Sequence, residues 1–342
     1  MQIDTIDLHS ATARDELEEW VSLRNVVQRD LFGMDSPMST LAMVQAMAAR
    51  DDQGNEFFLA REDDGRAVAA ARLATPGPTG ASDAEISLFV HPQARRGGVG
   101  AAVVARLEER ARELGCARTI LDQMSPRPDG APGAGFARRL GYTEVDLVLG
   151  SRLDLPVSEE VLASLERTAR EAYDAAYELS TAWDDIPDEW VQDRAELATG
   201  LSSYTPAGSI EDDTDETWDA ERVRALFLRW NTSGGRVVET IVVVRDTAHI
   251  VAYSDLVVYG VASAHPHAAQ SDTLVHPEHR GHKLGIAVKV ANLRALARDE
   301  PEVDTVFTWT SPDNAPMNAL NALLGFRTVA WTRMWARDLG AA

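Results

Sequence analysis

The sequence predicts an α/β protein with a mixed sheet, built from two tandem copies of one domain. Its 342 residues are long for a single domain and comfortable for two. Two similar eleven-residue segments also occur at an offset of 185 positions, with the same Val, His, Pro, Arg and final Gly. Residues 90–100 read Val-His-Pro-Gln-Ala-Arg-Arg-Gly-Gly-Val-Gly, and residues 275–285 read Val-His-Pro-Glu-His-Arg-Gly-His-Lys-Leu-Gly. An internal repeat of this kind indicates a duplicated structural unit.

The sequence around the repeat is duplicated as well. Each copy has a short strand pattern before the segment and helical spacing of apolar residues after it. Each then has a second short strand and a Leu-Gly-aromatic ending, at residues 140–142 and 324–326. A connector near Gly150 sets the predicted domains at 1–150 and 151–342. Between the repeats, an acidic stretch over 181–220 predicts short helices and a mobile loop, and 236–259 predicts a hairpin.

The composition predicts a soluble globular protein, with 45% hydrophobic and 25% charged residues. The apolar runs are strand-sized, far below the roughly 20 residues of a membrane span, and the N-terminus shows no secretory signal pattern. A single cysteine, Cys116, excludes an internal disulfide and fits a reducing cytoplasm. A small buried hydrophobe explains this cysteine better than a nucleophile does.

The formal net charge of −21 argues against binding to nucleic acids and anionic membranes, which require a basic face. We therefore expect no nucleic-acid partner and no membrane partner. A negative field would attract cationic substrates such as amines, although the same acidity also serves solubility alone. The expected oligomeric state is a monomer or a homodimer.

The repeated segment is a Gly-rich turn between a strand and a helix. Such turns bind phosphates, because glycine lets the backbone approach and the free N–H groups and helix dipole favour anions. Close packing alone is the alternative explanation. Three features favour an anion: the turn occurs twice, it begins with Arg both times, and it is locally basic in an acidic chain. The candidate residues are Arg95, Arg96, Gly97, Gly98, Val99 and Gly100, and Arg280, Gly281, His282, Lys283, Leu284 and Gly285.

Other sites with similar residues fit less well. A dinucleotide site needs Gly-x-Gly-x-x-Gly after a first strand, and a P-loop needs Gly-Lys-Ser/Thr, and neither pattern occurs here. His276, His279 and His282 suggest zinc only weakly, because no cysteine or fourth ligand accompanies them. We expect no metal. No Gly-x-Ser-x-Gly motif or Cys/His pair indicates covalent catalysis.

The pattern Val-x-Pro-x-x-Arg-x-x-Gly-x-Gly after a strand resembles the acyl-CoA loop of the GNAT (Gcn5-related) N-acetyltransferases. The first copy matches through Arg95, Gly98 and Gly100; the second matches through Arg280 and Gly285 but has Lys283 at the middle glycine. That lysine is compatible with the loop if its backbone is helical. The doubled layout is similar to tandem GNAT enzymes of the mycothiol synthase type.

The resemblance implies direct transfer of an acetyl group from acetyl-CoA to a primary amine of a small molecule or peptide. The family's carbonyl donors are backbone amides at the end of the strand before the loop, here Val90 or Val275. Its usual base is a Glu on that strand, here Glu85 in the first copy. The second copy has Gln270 there, with Asp272 two residues later on the same predicted strand face. Ordinary polar strand residues are an equal alternative for both acids.

Two further positions bear on which half is catalytic. The family's leaving-group acid is a Tyr, and its positions here hold Ala137 and Asn321. Asn314 follows the fifth strand of the second copy, where the family's Asn would contact the pantetheine arm; a plain turn residue is the alternative. The resemblance therefore favours a catalytic C-terminal half and an N-terminal half that binds acyl-CoA without catalysis. A catalytically silent acyl-CoA-binding or scaffold protein is the competing hypothesis.

Overall fold

The structure, a computed structural model, describes residues 1–33, 38–49, 53–76, 83–130, 132–200, 217–260 and 266–340. The chain divides into two units, and each contains both parallel and antiparallel strand pairs. Unit 1 comprises Met1–Val148 and Ala330–Ala342, and unit 2 comprises Leu149–Val329.

Unit 1 begins with a strand and two helices, continues through a meander of three strands, and ends with alternating helices and strands. Its elements are β1 (Gln2–Thr5), α1 (Ala13–Phe32), α2 (Leu41–Ala48), β2 (Gln53–Arg61), β3 (Ala67–Pro76), β4 (Asp83–Val90), α3 (Val99–Glu113), β5 (Arg118–Ser125), α4 (Gly133–Arg139) and the first part of β6 (Thr143–Asp154). The strand order is β1-β2-β3-β4-β5-β12, where β12 is Arg327–Asp338.

Unit 2 repeats this succession after the end of β6. Its further elements are α5 (Glu159–Tyr173), β7 (Tyr177–Trp183), α6 (Val191–Thr199), α7 (Ala220–Thr232), β8 (Arg236–Val244), β9 (Ile250–Tyr259), β10 (His267–Val275), α8 (Leu284–Asp299), β11 (Thr305–Thr310) and α9 (Ala315–Leu324). The strand order is β6-β11-β10-β9-β8-β7.

The last strand of the chain departs from the predicted boundary. It pairs antiparallel with β5, from Trp331 opposite Ser125 to Asp338 opposite Arg118. The corresponding edge of β11 is occupied by residues 149–154 of β6. Unit 1 therefore takes its sixth strand from the C-terminal end of the sequence, whereas the sixth strand of unit 2, residues 149–154, begins that unit. The structure groups residues 330–342 with unit 1, whereas the predicted domain 151–342 includes them; the strand edge with which they pair belongs to β5.

Helices cover both faces of each sheet. In unit 1, α1 and α2 pack on one face through a core that includes Trp20, Val44 and Phe57, and α3 packs on the other through Val103 and Leu107. The helical spacing of the apolar residues in α3 is what buries that stripe. In unit 2, α6 and α7 cover one face and α8 covers the other.

The structure describes the predicted hairpin and part of the predicted acidic stretch. The hairpin is present as β8 and β9, paired from Arg236–Val258 to Val243–Ile250. The acidic stretch forms the end of β7 and all of α6, while Glu211, Asp212 and Asp213 lie outside the described residues. Among the described residues, no helix combines the length and apolar character that crossing a membrane requires.

Candidate active sites

The two Gly-rich loops have the same backbone path. Each follows a single 3-10 turn, and each places two residues in the left-handed region before the helix starts. These are Arg96 (φ 66°) and Gly98 (φ 86°) in unit 1, and Gly281 (φ 89°) and Lys283 (φ 54°) in unit 2. Lys283 is therefore left-handed rather than helical, and the glycine of this loop stands two positions earlier. Each loop strains one side chain and turns the first N–H groups of its helix outward, which is a cradle for an anion.

The arginine at the start of each loop holds the loop against the preceding strand. Arg95 Nε donates to the carbonyl oxygen of Val90 at 3.2 Å, and Arg280 Nε donates to that of Val275 at 3.4 Å. Arg95 also pairs with Asp30 of α1, with Nη1 at 2.6 Å from Oδ2. These two arginines therefore shape the cradle in the structure.

The histidines of the second loop contact α5 and β7. Tyr177 Oη lies 2.9 Å from Nδ1 of His279, and Nδ1 of His282 lies 3.3 Å from the carbonyl oxygen of Ala172. Burial and the neighbouring His276 lower the pKa of His279. Within the described ranges, no group of three His, Cys, Asp or Glu side chains is arranged to hold a metal ion.

The final glycine of each loop is a packing position. A Cβ on Gly100 would lie 3.2 Å from the Phe136 ring of α4, and a Cβ on Gly285 would lie 3.1 Å from Leu320 of α9. The absence of a side chain lets the neighbouring helix approach beside the loop. Packing is thus part of the reason for these glycines.

A gap opens in each sheet beside the loop. The parallel strands β4 and β5 pair only as far as Ile86 and Leu121, and β10 and β11 only at Ala268–Val306 and Ala269–Phe307. Beyond these points the strands separate, so four residues of β4 and six of β10 run along an open edge.

The last residue of β4 and of β10 directs its N–H into this gap. His91 N donates to Val68 O at 2.9 Å, and His276 N donates to Val251 O at 2.8 Å. Because N–H direction alternates along a strand, the N–H of Val90 and that of Val275 point to the opposite edge. A carbonyl oxygen in either gap would meet such a donor.

Only unit 2 has a bulge beside the gap. The register of β4 on β3 is regular from Ala69–Val90 to Ala74–Glu85. In β10, one extra residue lies between Gln270, opposite Leu256, and Thr273, opposite Ser254. A bulge leaves a residue out of the ladder and re-aims side chains.

The bulge contradicts the predicted common face of Gln270 and Asp272. Gln270 is 4% exposed and its amide nitrogen donates to Ser254 Oγ at 2.9 Å, on the α8 side of the sheet. Asp272 faces the α6 side, where its charge acts on Asp255 and Glu239. The simple alternation that joined them fails because of the inserted residue.

Asp272, which is partly exposed, lies beside two buried carboxyls; we define the carboxyl cluster as Glu239, Asp255 and Asp272 around Arg194. Arg194 of α6 is 1% exposed; its Nε lies 2.8 Å from Glu239 Oε2 and its Nη2 3.3 Å from Asp255 Oδ2. Asp255 Oδ1 accepts the backbone N–H of Asp272 at 3.1 Å. The guanidinium also lies over the Tyr253 ring, 3.3 Å from its centroid.

The pKa values of the carboxyls in this cluster are raised, because a single arginine compensates three of them. Burial raises the pKa of Asp255 well above its usual range, and the Asp272 charge raises it further. Burial also raises the pKa of Glu239 and that of Asp272, against the opposing effect of Arg194. A carboxyl whose pKa is raised toward neutrality is suited to act as a general base.

The corresponding face of unit 1 is more open. Glu85 is half exposed, with Oε2 4.0 Å from Arg72 Nη2, and Arg72 Nε donates to Asn55 Oδ1 at 2.8 Å. Asp122 of β5 remains reachable by solvent at the gap. Burial among surrounding atoms, followed by the Glu85 charge, raises the pKa of Asp122 to about 6. Glu85 thus lies in a polar group of its own.

Asn314 is the N-cap of α9. Its Oδ1 accepts the N–H of Met317 at 3.2 Å, which is the turn role left open by the sequence. Asn318, one turn later, ties the end of β11 to α9: its Oδ1 accepts from Thr310 Oγ1 at 2.6 Å and its Nδ2 donates to Ser311 O at 3.0 Å. The capping bond uses the oxygen of Asn314 and leaves its amide nitrogen for other contacts.

Sequence reasoning missed Arg194, Glu239, Asp255 and Asp122. A signal existed for two of them, since Glu239 and Asp255 each interrupt a strand of otherwise mostly apolar residues. A charge at such a position is buried and must be paired. Arg194 has no comparable signal, because a single arginine in a polar helix reads as a surface residue.

Comparisons with known proteins agree with this geometry. Residues 20–142 match the model of the Acetyltransferase (GNAT) family. No curated protein matches the chain in sequence.

Similar solved structures extend over both units. A tandem GNAT protein from the clavulanic acid biosynthesis pathway is 27% identical, with a TM-score of 0.81 and 100% of each chain covered. A GCN5-related N-acetyltransferase from Sphaerobacter thermophilus is 16% identical, with a TM-score of 0.65, covering 98% of this chain and 96% of that one. N-myristoyltransferase from Saccharomyces cerevisiae, solved with myristoyl-CoA, is 12% identical, with a TM-score of 0.59, covering 98% and 82%.

Proposed function

Because this chain is a tandem GNAT protein, we propose that it is an N-acetyltransferase in which unit 2 transfers acetyl from acetyl-CoA to a primary amine. The bulge in β10 carries this choice of unit. It places Asp272 of the carboxyl cluster on the sheet face beside the gap, while β4 of unit 1 stays regular. Unit 1 in this proposal binds acyl-CoA without transfer.

The donor would be held along the loop and the gap. The outward N–H groups of residues 281–285, with the nearby charge of Lys283, suit a pyrophosphate. The pantetheine arm would enter the gap between β10 and β11, within reach of the free amide nitrogen of Asn314. The N–H of Val275 would polarise the thioester carbonyl, because it points into the gap and has no strand partner there.

The acceptor would approach from the α6 side. Asp272 would take the proton that the attacking ammonium must lose, either directly or through a water molecule. The surplus of carboxyls over arginine in the cluster also favours a cationic amine over a neutral or acidic acceptor. The raised pKa of Asp272 means that transfer increases as pH rises through that pKa, since only the ionised carboxylate accepts a proton.

Unit 1 remains a candidate for a second activity, because the family model matches residues 20–142. It has the same loop, the same gap and an acid of pKa about 6, Asp122. A silent protein that binds acyl-CoA in both units is the other alternative.

The test is titration calorimetry with acetyl-CoA, combined with an amine panel in which thiol release is followed. Gly100→Leu and Gly285→Leu are a matched pair, because each adds a side chain at the same helix position against Phe136 or Leu320. We expect Gly285→Leu to abolish amine-dependent thiol release and Gly100→Leu to preserve it. Binding without thiol release from any amine would support the silent protein, and no binding would contradict the proposal altogether.

A further inference from the structure

Unit 2 contains a buried lysine that unit 1 lacks. Lys289 of α8 is 1% exposed, and its Nζ donates to Asn321 Oδ1 of α9 at 3.0 Å. At the repeat offset, the corresponding residues of unit 1 are Val104 and Ala137. Both are buried in the apolar core of that unit. The equivalent helix pairs therefore differ at this position: the contact between α3 and α4 is apolar, and the contact between α8 and α9 is polar.

Packing does not explain the polar pair. Burial of an ammonium group lowers stability, and apolar residues of similar size are usually at least as stable. Unit 1 shows that valine and alanine fill these positions. In addition, the Nδ2 of Asn321 is buried and has no hydrogen-bond partner, although the residue is 4% exposed. A buried group left unsatisfied in this way requires an explanation in function.

The pair lies beside the gap, on the side of the sheet away from the carboxyl cluster. Lys289 is one helical turn after Gly285, at which a Cβ would lie 3.8 Å from Val275 and 3.1 Å from Leu320. Asn321 directly follows Leu320. The Lys289–Asn321 pair therefore lies between α8 and α9, one helical turn further along α8 than Gly285. Gly285 is at the level of Val275, whose N–H points into the gap.

We propose that Lys289, held by Asn321, protonates the thiolate that leaves acyl-CoA in unit 2. This rests on the proposed function. As the amine nitrogen bonds to the acyl carbon, the C–S bond breaks and its electron pair goes to sulfur. One proton passes from Lys289 Nζ to that sulfur. The acceptor nitrogen loses two protons on the way from ammonium to amide: Asp272 takes the first before attack, and solvent takes the second as the tetrahedral intermediate collapses. The products are the amide and the free thiol, and both side chains then exchange protons with solvent.

The electrostatic surroundings of Lys289 suit a donor of this kind. Burial lowers the pKa of Lys289 to about 7, and the charge of Asp255 on β9 opposes this effect. The ring of Phe326 lies 5.9 Å from Nζ. Asp272 and Glu239 face the other side of the sheet, and Arg294 of α8 is paired with Glu159 and Glu166 of α5. The lysine thus gives up its proton far more readily than an exposed one.

The test is single-turnover transfer from acetyl-CoA by the full chain across pH 6 to 9, with the best amine of the panel. Lys289→Met should lower the rate at least about 100-fold, the usual scale for loss of a general acid. It should also remove the fall in rate toward high pH. Binding of acetyl-CoA by calorimetry should be retained. Val104→Met is the matched control in unit 1 and should leave the rate unchanged.

A second variant separates charge from proton donation. Lys289→Arg keeps the positive charge but cannot release a proton near neutral pH, so it should stay as impaired as Lys289→Met. Full activity of Lys289→Arg would overturn proton donation, as would a normal rate and pH profile in Lys289→Met. A loss of rate in Lys289→Met with the high-pH fall intact would also contradict it. Absence of transfer in the unaltered protein would instead be a failure of the proposed function.

Discussion

The gaps in unit 1 and unit 2 lie beside loops with the same backbone path, but different side chains line them. Both have an N–H at the end of the central strand and a glycine that lets two helices meet. Unit 2 adds a bulge, the carboxyl cluster and a buried lysine. Unit 1 has a regular strand, a half-exposed Glu85 and apolar residues where the lysine would be.

Under the proposed function, this difference separates binding from transfer. The features shared by the two units are those that hold a phosphate and an extended arm, and they consist mostly of backbone groups. Unit 2 adds Asp255, Asp272 and Lys289, ionisable side chains whose burial disfavours their charged forms. Such side chains cost stability, and in the proposed function they carry the proton transfers of unit 2.

The largest expected difference in stability concerns the arginine of each polar group. Arg194→Met should lower the free energy of unfolding of unit 2 by about 3–5 kcal/mol, because it leaves buried carboxyls uncompensated. Arg72→Met in unit 1 should cost only about 1 kcal/mol, since its carboxyl partner Glu85 is half exposed. Denaturant unfolding at pH 7 measures both. Equal losses would show that the two polar groups are energetically alike.

The next effect is a rise in stability between pH 7 and 9 that only unit 2 should show. Burial lowers the pKa of Lys289 in the folded chain to about 7, from the usual 10.5 of a lysine. Between these values the unfolded chain binds a proton that the folded chain does not. The free energy of unfolding should therefore rise with pH, by up to about 1.4 kcal/mol per unit.

Lys289→Met should abolish this rise and make unit 2 more stable at pH 7. The reciprocal change, Val104→Lys, should introduce the same rise in unit 1. Denaturant unfolding at pH 7, 8 and 9 checks both. An unchanged slope in Lys289→Met would mean that the lysine stays charged in the folded protein.

The smallest effect tests the two loops. Arg96→Gly and Lys283→Gly each relieve a left-handed side chain, at φ 66° and 54°. Each should raise the free energy of unfolding by about 0.5–1 kcal/mol. Because each also removes a cation, acetyl-CoA should bind more weakly in that unit. A loss of stability in either variant would contradict the equivalence of the loops.

The backbone of the sites could be predicted from the sequence better than the positions of their side chains. The repeated segment predicted the loops, because the left-handed positions and the helix start depend on local residues. It could not predict the bulge, since an extra residue in β10 is defined only by its pairing with β9. Nor could it predict that β12 pairs with β5, which lies about 200 residues away in the chain.

The carboxyl cluster was hidden for the same reason. Arg194 comes from α6, Glu239 from β8 and Asp255 from β9, so their meeting depends on tertiary packing. Asp272 was identified as a candidate by its place before the loop, but alternation gave it the wrong strand companion. Lys289 was visible as one of two lysines in the chain and carried no signal of its contact with Asn321.

The central claim is that unit 2 transfers and unit 1 does not, and the most direct test compares the acids of the two gaps. Asp272→Asn and Asp122→Asn are measured as initial rates of amine-dependent thiol release at saturating acetyl-CoA. We predict a fall of at least about 100-fold for Asp272→Asn and a change within about twofold for Asp122→Asn. The reverse result, with activity lost in Asp122→Asn and kept in Asp272→Asn, would place transfer in unit 1 and contradict the account.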